Sequence, residues 1–457
     1  MASNAKKADL TQGTIWKQLV LFAIPIMMGQ LLTTLYHTVD SIIVGKFVGK
    51  DALAAVGSIG PATTLIINLV SGFATGSSVI FSQYWGAKAF DRVRKTADTI
   101  YGLTLLLAVV ITGICLFLVE PVLNIMNIPE EIRALSRIYL QVYFYGIPFN
   151  VIVNMGSALL RATGNSQYPM YCTLAAAVTN VVLDLLFVAV YRWGVPGAAY
   201  ATLISQAIAT LFIVIALLRA EDFWRLELRR ISLSWEILRR VLRVGLPTGL
   251  NTSINTLGNL LVQTYINGFG SVCIASWSIY QQIDHYACLF VVSLHMALAT
   301  FAGQNLGAGN TDRIRKGLRT SVGMSLLVSC SIQAVLMLLA PQITRIFNTD
   351  PTVITYTCWM LWLVGPIQVL ACPNLCFVGT LRGVGLTKAP VLIALGSNVV
   401  VKILFCGIVT ALSDSFALLI AGFPMVWALN CICIMIYYRF SHWEEKSLKF
   451  FREKAAG

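Results

Sequence analysis

The sequence predicts an all-α polytopic membrane protein of about twelve transmembrane helices, in two six-helix bundles related by a parallel pseudo-two-fold repeat. Three observations lead there. Of 457 residues, 57% are hydrophobic and 12% are charged, with a mean hydropathy of +0.76. The apolar residues fall in long unbroken runs. Two loop motifs recur at one spacing along the chain.

Soluble domains carry roughly 25% charged residues, and a soluble chain could not hide this much apolar side chain from water. Lipid is therefore the expected solvent. Helices are the expected spanning element, because each satisfies its own backbone hydrogen bonds; a barrel would show short alternating segments instead. A span needs about 20 apolar residues. The runs place spans at about 16–45, 52–82, 96–122, 135–160, 169–191, 195–218, 238–266, 272–300, 318–342, 353–379, 389–411 and 415–438. The longer ones imply tilt or extension past the bilayer. The first run, from about Ile15, is too long for a signal-peptide h-region and is expected to stay as the first span.

The formal net charge is +13, which in a soluble protein would suggest nucleic acid. Here Lys and Arg gather in short loops, so topology is the simpler reading and no nucleic-acid partner is expected. GAKAFDRVRK follows the second span, an Arg-rich connector from Arg219 to Arg243 follows the sixth, and Arg313, Arg315, Lys316 and Arg319 follow the eighth. A basic tail begins at Arg439. The opposite loops NIMNIPEEIR, YRWG, NGFGS, NTDP and LSDS are poor in basic residues, and KFVGKD, with Lys46 and Lys50, is the exception. Basic loops stay inside, so both termini are expected in the cytoplasm of a multi-pass plasma (inner) membrane protein. The 11 Cys lie in or beside apolar runs without a CxxC pair, and read as small packing residues.

Gln83 opens QYWGAKAFDRVRK and Gln304 opens QNLGAGNTDRIRK, 221 positions on. Leu160-Arg161-Ala-Thr-Gly164 and Pro169 face Leu381-Arg382-Gly-Val-Gly385 and Pro390 at the same 221. Two motifs sharing one spacing mark a duplication. An even number of spans between copies gives both halves the same orientation, with a substrate path expected between them. The divisions follow: a six-helix bundle over 1–218, a connector over 219–237, and a second bundle with its tail over 238–457.

Position sorts the charges. Asp40, Asp184 and Asp284 are the carboxylates well inside expected spans, with Lys402 the one basic residue similarly deep. A charge at the bilayer centre costs roughly 2.5–3.5 kcal/mol on insertion scales, so each needs a partner or a wet cavity. Asn180 and Asp184 are i and i+4 and share a helix face. TNVVLDLLF (179–187) is echoed by SNVVVKILF (397–405), with a three-residue shift from the 221 register. Asn398 then answers Asn180, and Lys402 stands for Asp184, so a cation site is expected in the first half alone. His37 lies three residues before Asp40 and reads as sharing its face; Tyr36, Asn150, Asn154 and Asp284 join it as candidate cavity residues.

The paired Q-x-x-G-A loops, the two L-R-x-x-G turns, the two halves and the length together resemble the multidrug and toxic compound extrusion (MATE) family over essentially the whole chain. The resemblance implies a cation-coupled antiporter, not an enzyme, that exports amphiphilic and often cationic organic compounds. It also implies a first-half cation site built from an Asp on the first span, an Asn and an Asp on the fifth and a Thr on the sixth. These fall on Asp40, Asn180, Asp184 and Thr202. An Asp at 184 resembles the DinF-type branch, and spans seven and ten lack the acids of the NorM-type branch. The coupling ion is left open between H+ and Na+: a proton shared by Asp40 and Asp184 is one arrangement, and a sodium ion held by the four side chains is the other. No cofactor beyond that ion is expected, and the protein is expected to act as a monomer on a small organic substrate. Lys402 leans toward an alternative within the same superfamily, a flippase for lipids or lipid-linked oligosaccharides. No paired Asp-rich motif supports an intramembrane transferase, and no GxxxxGK[ST] supports ATP drive.

Overall fold

The computed structural model describes residues 9–221, 223–413 and 415–452. In order, the helices are α1 (Ile15–Phe47), α2 (Lys50–Ser58), α3 (Gly60–Gly86), α4 (Phe90–Phe117), α5 (Val119–Ile125), α6 (Glu130–Tyr145), α7 (Ile147–Ala162), α8 (Gln167–Asp184) and α9 (Val195–Leu218). The second half holds α10 (Trp235–Asn267), α11 (Ser271–Gly307), α12 (Thr311–Leu338), α13 (Ala340–Phe347), α14 (Pro351–Gly383), α15 (Lys388–Ala394), α16 (Lys402–Leu412), α17 (Phe416–Phe440) and α18 (Trp443–Arg452). A π-helical turn follows α8 at Leu185–Val190, and another joins α15 to α16 at Leu395–Val401.

Among the described residues, ten helices are long and apolar enough to cross a membrane, and the pair α6 and α7, bent by 43°, makes an eleventh. The remaining expected span, 238–266, is the 33-residue helix α10. Asn251, Thr252, Ser253, Asn255, Thr256 and Asn259 fill its middle and Arg239, Arg240 and Arg243 its start, which makes it too polar for that test. Large apolar side chains such as Phe117, Leu404 and Met425 are exposed, as a lipid-facing surface requires. The protein is a multi-pass membrane protein.

Both repeated motifs turn out to be helix C-caps of one design. Gly164 (φ 92°) ends α7 and Gly385 (φ 85°) ends α14 in the left-handed conformation, where a side chain would be strained. Asn165 N–H donates to the Leu160 carbonyl at 3.0 Å, and Leu386 N–H to that of Leu381 at 2.8 Å. After α3 and α11 the same six-residue closure runs from Ala89 to Tyr84 (3.2 Å) and from Asn310 to Asn305 (2.8 Å).

The chain divides into two compact units, one holding Met28–Gly249 and the other holding Leu10–Met27 with everything from Leu250. The leading part of each half's first helix thus belongs with the other half. In the first unit, the start of α10 lies on α3 at glycines: a Cβ on Gly72 would meet Gly249 Cα at 2.4 Å, and one on Gly76 the Val241 carbonyl at 2.5 Å. Small residues at this spacing let two helix backbones touch. Glu236 of α10 pairs with Arg92 at 3.1 Å, and the buried Arg240 donates to the Tyr84 hydroxyl. In the second unit, Arg313 donates to the carbonyls of Leu10 (3.3 Å), Gln12 (2.8 Å) and Gly13 (2.9 Å) ahead of α1. Asn305 and Gln304 bond the backbone of Leu10 at 3.0 and 3.2 Å. Tyr84 and Asn305, like Arg92 and Arg313, are register mates of the duplicated loop. The motif therefore holds the entry of the opposite half's first helix.

Candidate functional site

Asp40 on α1, Asn180 and Asp184 on α8 and Thr202 on α9 come together in the first unit. Their exposures are 5%, 1%, 0% and 8%, which for two carboxylates demands a counterpart. The i, i+4 spacing puts Asn180 and Asp184 on one buried face, and Asn180 Nδ2 reaches Thr202 Oγ1 at 3.5 Å. Asp184 is the last residue of α8 before the π-helical turn, a feature frequent at functional sites. The carboxyl groups of Asp40 and Asp184 lie within hydrogen-bonding reach of each other.

What the site lacks is donors. Among the described residues, none donates to either carboxylate oxygen of Asp184, to Oδ1 of Asp40 or to Oδ1 of Asn180. A buried acceptor without a donor costs about 1–3 kcal/mol, more when charged. Oxygens of carboxylate, amide and hydroxyl groups are the ligands a hard cation takes, and a single proton would equally bridge two facing carboxylates. These side chains fit either ion.

Two neighbours escaped the sequence reading. Tyr139 of α6 is buried close enough to feel the charge of both carboxylates. Gln206, one turn beyond Thr202 on α9, lines a narrow cleft with Tyr139, Tyr143 and Thr202 and a second with Tyr143 and Asn150. Tyr139 with Tyr143 and Thr202 with Gln206 are i, i+4 polar pairs, a signal open to inspection. Asn154 donates to the carbonyl (2.9 Å) and side-chain oxygen (3.0 Å) of Asn150. Tyr36 is half-buried and its ring lies 4.2 Å from that of His37, which is exposed and so does not share the buried face of Asp40.

Asp284 belongs to the second unit and has its own partners. The Gln368 amide of α14 donates to its Oδ1, Cys288 Sγ lies 3.9 Å away, and Tyr280 donates to Gln368 at 3.3 Å. Lys402, 6% exposed, donates to Asn259 Oδ1 at 3.2 Å and lies 4.7 Å from the centre of the Phe423 ring. Phe423 is the 221-register mate of Thr202. The second unit thus sets a buried base of α16 against α10 and α17 where the first sets buried acids of α1 and α8 beside Thr202 of α9.

The family model MatE matches the chain twice, over residues 25–186 and 247–408. The chain belongs to the MatE family. The two MatE stretches begin at Pro25 and Pro247, the prolines inside α1 and α10, so the family match reproduces the duplication seen in the capping motifs. Among MatE relatives, the chain is 29% identical to a probable multidrug resistance protein, YpnP, of Bacillus subtilis (strain 168), covering 98% of this chain and 100% of that one. It is 27% identical to a second such protein of that organism, YoeA, covering 95% and 96%. A crystal structure described as MATE in the straight conformation superposes with a TM-score of 0.89 at 25% identity, over 96% of this chain and 99% of that one.

Proposed function

We propose that this MatE-family protein is a secondary active antiporter that exports amphiphilic organic compounds, cationic ones among them, in exchange for H+ or Na+ at Asp40, Asn180, Asp184 and Thr202. The observation that carries this reading is the buried cluster those four side chains make, in which both oxygens of Asp184, Oδ1 of Asp40 and Oδ1 of Asn180 receive no donor among the described residues. The relatives' names, multidrug resistance proteins, support drugs as the exported compounds. Binding of the ion stabilises one conformation and binding of substrate the other, so each ligand expels its rival through their differential affinities. Asn180 and Thr202, joined side chain to side chain, orient the amide oxygen toward the ion. Orientation with both termini in the cytoplasm, from the loop charges, and action as a monomer belong to the same reading.

Lys402, which leaned toward a flippase, is taken up by Asn259 and Phe423, so the export reading stands ahead of it. Proteoliposomes loaded with a cationic dye test the proposal under separate proton and sodium gradients. One of the two gradients is expected to drive accumulation, and the drive is expected to vanish on Asp40→Asn. Dye movement indifferent to both gradients would reject antiport.

A further inference from the structure

Away from the coupling residues, the second unit carries a groove of about 1010 Å³ between the start of α12, the end of α17 and α18. Its shape follows from local sequence. His442 takes a left-handed conformation (φ 47°) directly after α17 and turns the chain into α18. Trp443 then stacks on Tyr438 at 5.5 Å, and Tyr438 meets Phe377 edge-on at 5.1 Å. Trp443 and Ser447 are buried, while Glu445, Lys446 and Lys449 are exposed, so α18 is amphipathic.

Three guanidinium groups line the groove, those of Arg315, Arg319 and Arg439. Arg315 is engaged by Glu444 and, at 3.4 Å, by Asp312. Arg319 and Arg439 are exposed and form no ion pair among the described residues. The rest of the lining is apolar and includes Val322, Phe377 and Ile436. On its outer side Met435, Ile436 and Phe440 are 44%, 54% and 73% exposed. Both α12 and α17 pass the length and hydropathy test for a span, so their ends lie at the level of lipid headgroups, with the apolar wall running toward the acyl chains.

We propose that this groove binds one anionic phospholipid of the surrounding bilayer, its phosphate held by Arg319 and Arg439 and its chains laid on Phe377, Ile436 and Met435. Guanidinium groups suit phosphate through paired hydrogen bonds, and basic pockets between spanning helices take acidic headgroups. A soluble phosphate would leave the apolar wall unused. Glu445, exposed at the rim, opposes the headgroup and limits its affinity.

The test is native mass spectrometry of the full-length protein titrated with phosphatidylglycerol or phosphatidylcholine. The wild type is expected to retain phosphatidylglycerol in preference. The double variant Arg319→Gln, Arg439→Gln is expected to bind it about thirtyfold more weakly, at the usual contribution of a basic residue near a membrane surface. Glu445→Gln is expected to strengthen binding, and this exposed change decides the matter if the double variant does not purify. Millimolar inorganic phosphate or glycerol phosphate is expected not to compete; competition would reassign the groove to a soluble anion. Equal retention of the two lipids by the wild type, or binding indifferent to all three substitutions, would overturn the proposal.

Discussion

Replacing Asp184 with Asn separates the site's chemistry from its architecture. The side chain keeps its size, loses its charge and gains an N–H. Asp184 is fully buried, and neither of its oxygens nor Oδ1 of Asp40 receives a donor among the described residues. The new amide can donate to Asp40, with which Asp184 lies in hydrogen-bonding reach. Supplying one buried acceptor and removing one of two adjacent charges is worth about 1–3 kcal/mol, and a neutral residue also inserts into a membrane core more cheaply than Asp. Asp184→Asn is therefore expected to melt higher than the wild type in detergent while failing to concentrate substrate. One proton exchanged per substrate across one pH unit supports up to about tenfold accumulation, since a unit is worth about 1.4 kcal/mol. Without the carboxylate the accumulation ratio should fall to one. Thermal denaturation and gradient-driven dye uptake at matched protein level measure the two effects. A variant that accumulates dye like the wild type, or that loses about 1–3 kcal/mol of stability, would refute the assignment.

Other outcomes follow from the same contacts. Asp284→Asn keeps an oxygen for the Gln368 amide, so gradient-driven transport is expected within about twofold of wild type; a complete loss would move the coupling site to the second unit. Gly72→Ala places a Cβ 2.4 Å from Gly249 Cα and is expected to cost about 1–3 kcal/mol in a melting experiment. Gly113→Ala, whose Cβ would meet nothing within 4 Å, is expected to be neutral or to gain about 0.5–1 kcal/mol as a mid-helix glycine replaced. In a cysteine-free variant, a Cys at Asn348 is expected to react with an impermeant thiol reagent applied outside, and one at Asn310 to stay protected until the membrane is opened. The reverse pattern would invert the orientation.

The spans were legible because lipid writes itself into sequence as long apolar runs, and the ends of α3, α7, α11 and α14 because their capping motifs recur. Depth alone picked out Asp40 and Asp184, and helical spacing added Asn180; Thr202, a Thr among many, entered through the family resemblance. Contacts between distant segments left no local trace. Nothing near Lys402 announces Asn259 or Phe423, and nothing near Tyr84 announces Arg240, 156 residues away. The polar middle of α10 looks like a weak span by composition, and its Asn251, Thr252, Ser253, Asn255 and Thr256 are half-buried rather than packed away. His37 was placed by counting three residues from Asp40, which sets it only about 60° round the helix, yet its side chain is exposed where that of Asp40 is buried.

The exchanged leading segments bear on how the protein is made. Leu10 to Gly13 leave the ribosome about 300 residues before Asn305 and Arg313, which hold them. At about 5–20 residues per second, the first helix waits on the order of 15–60 s for the contacts that fix its entry. A first half expressed alone would lack Asn305 and Arg313, which receive the start of its first helix.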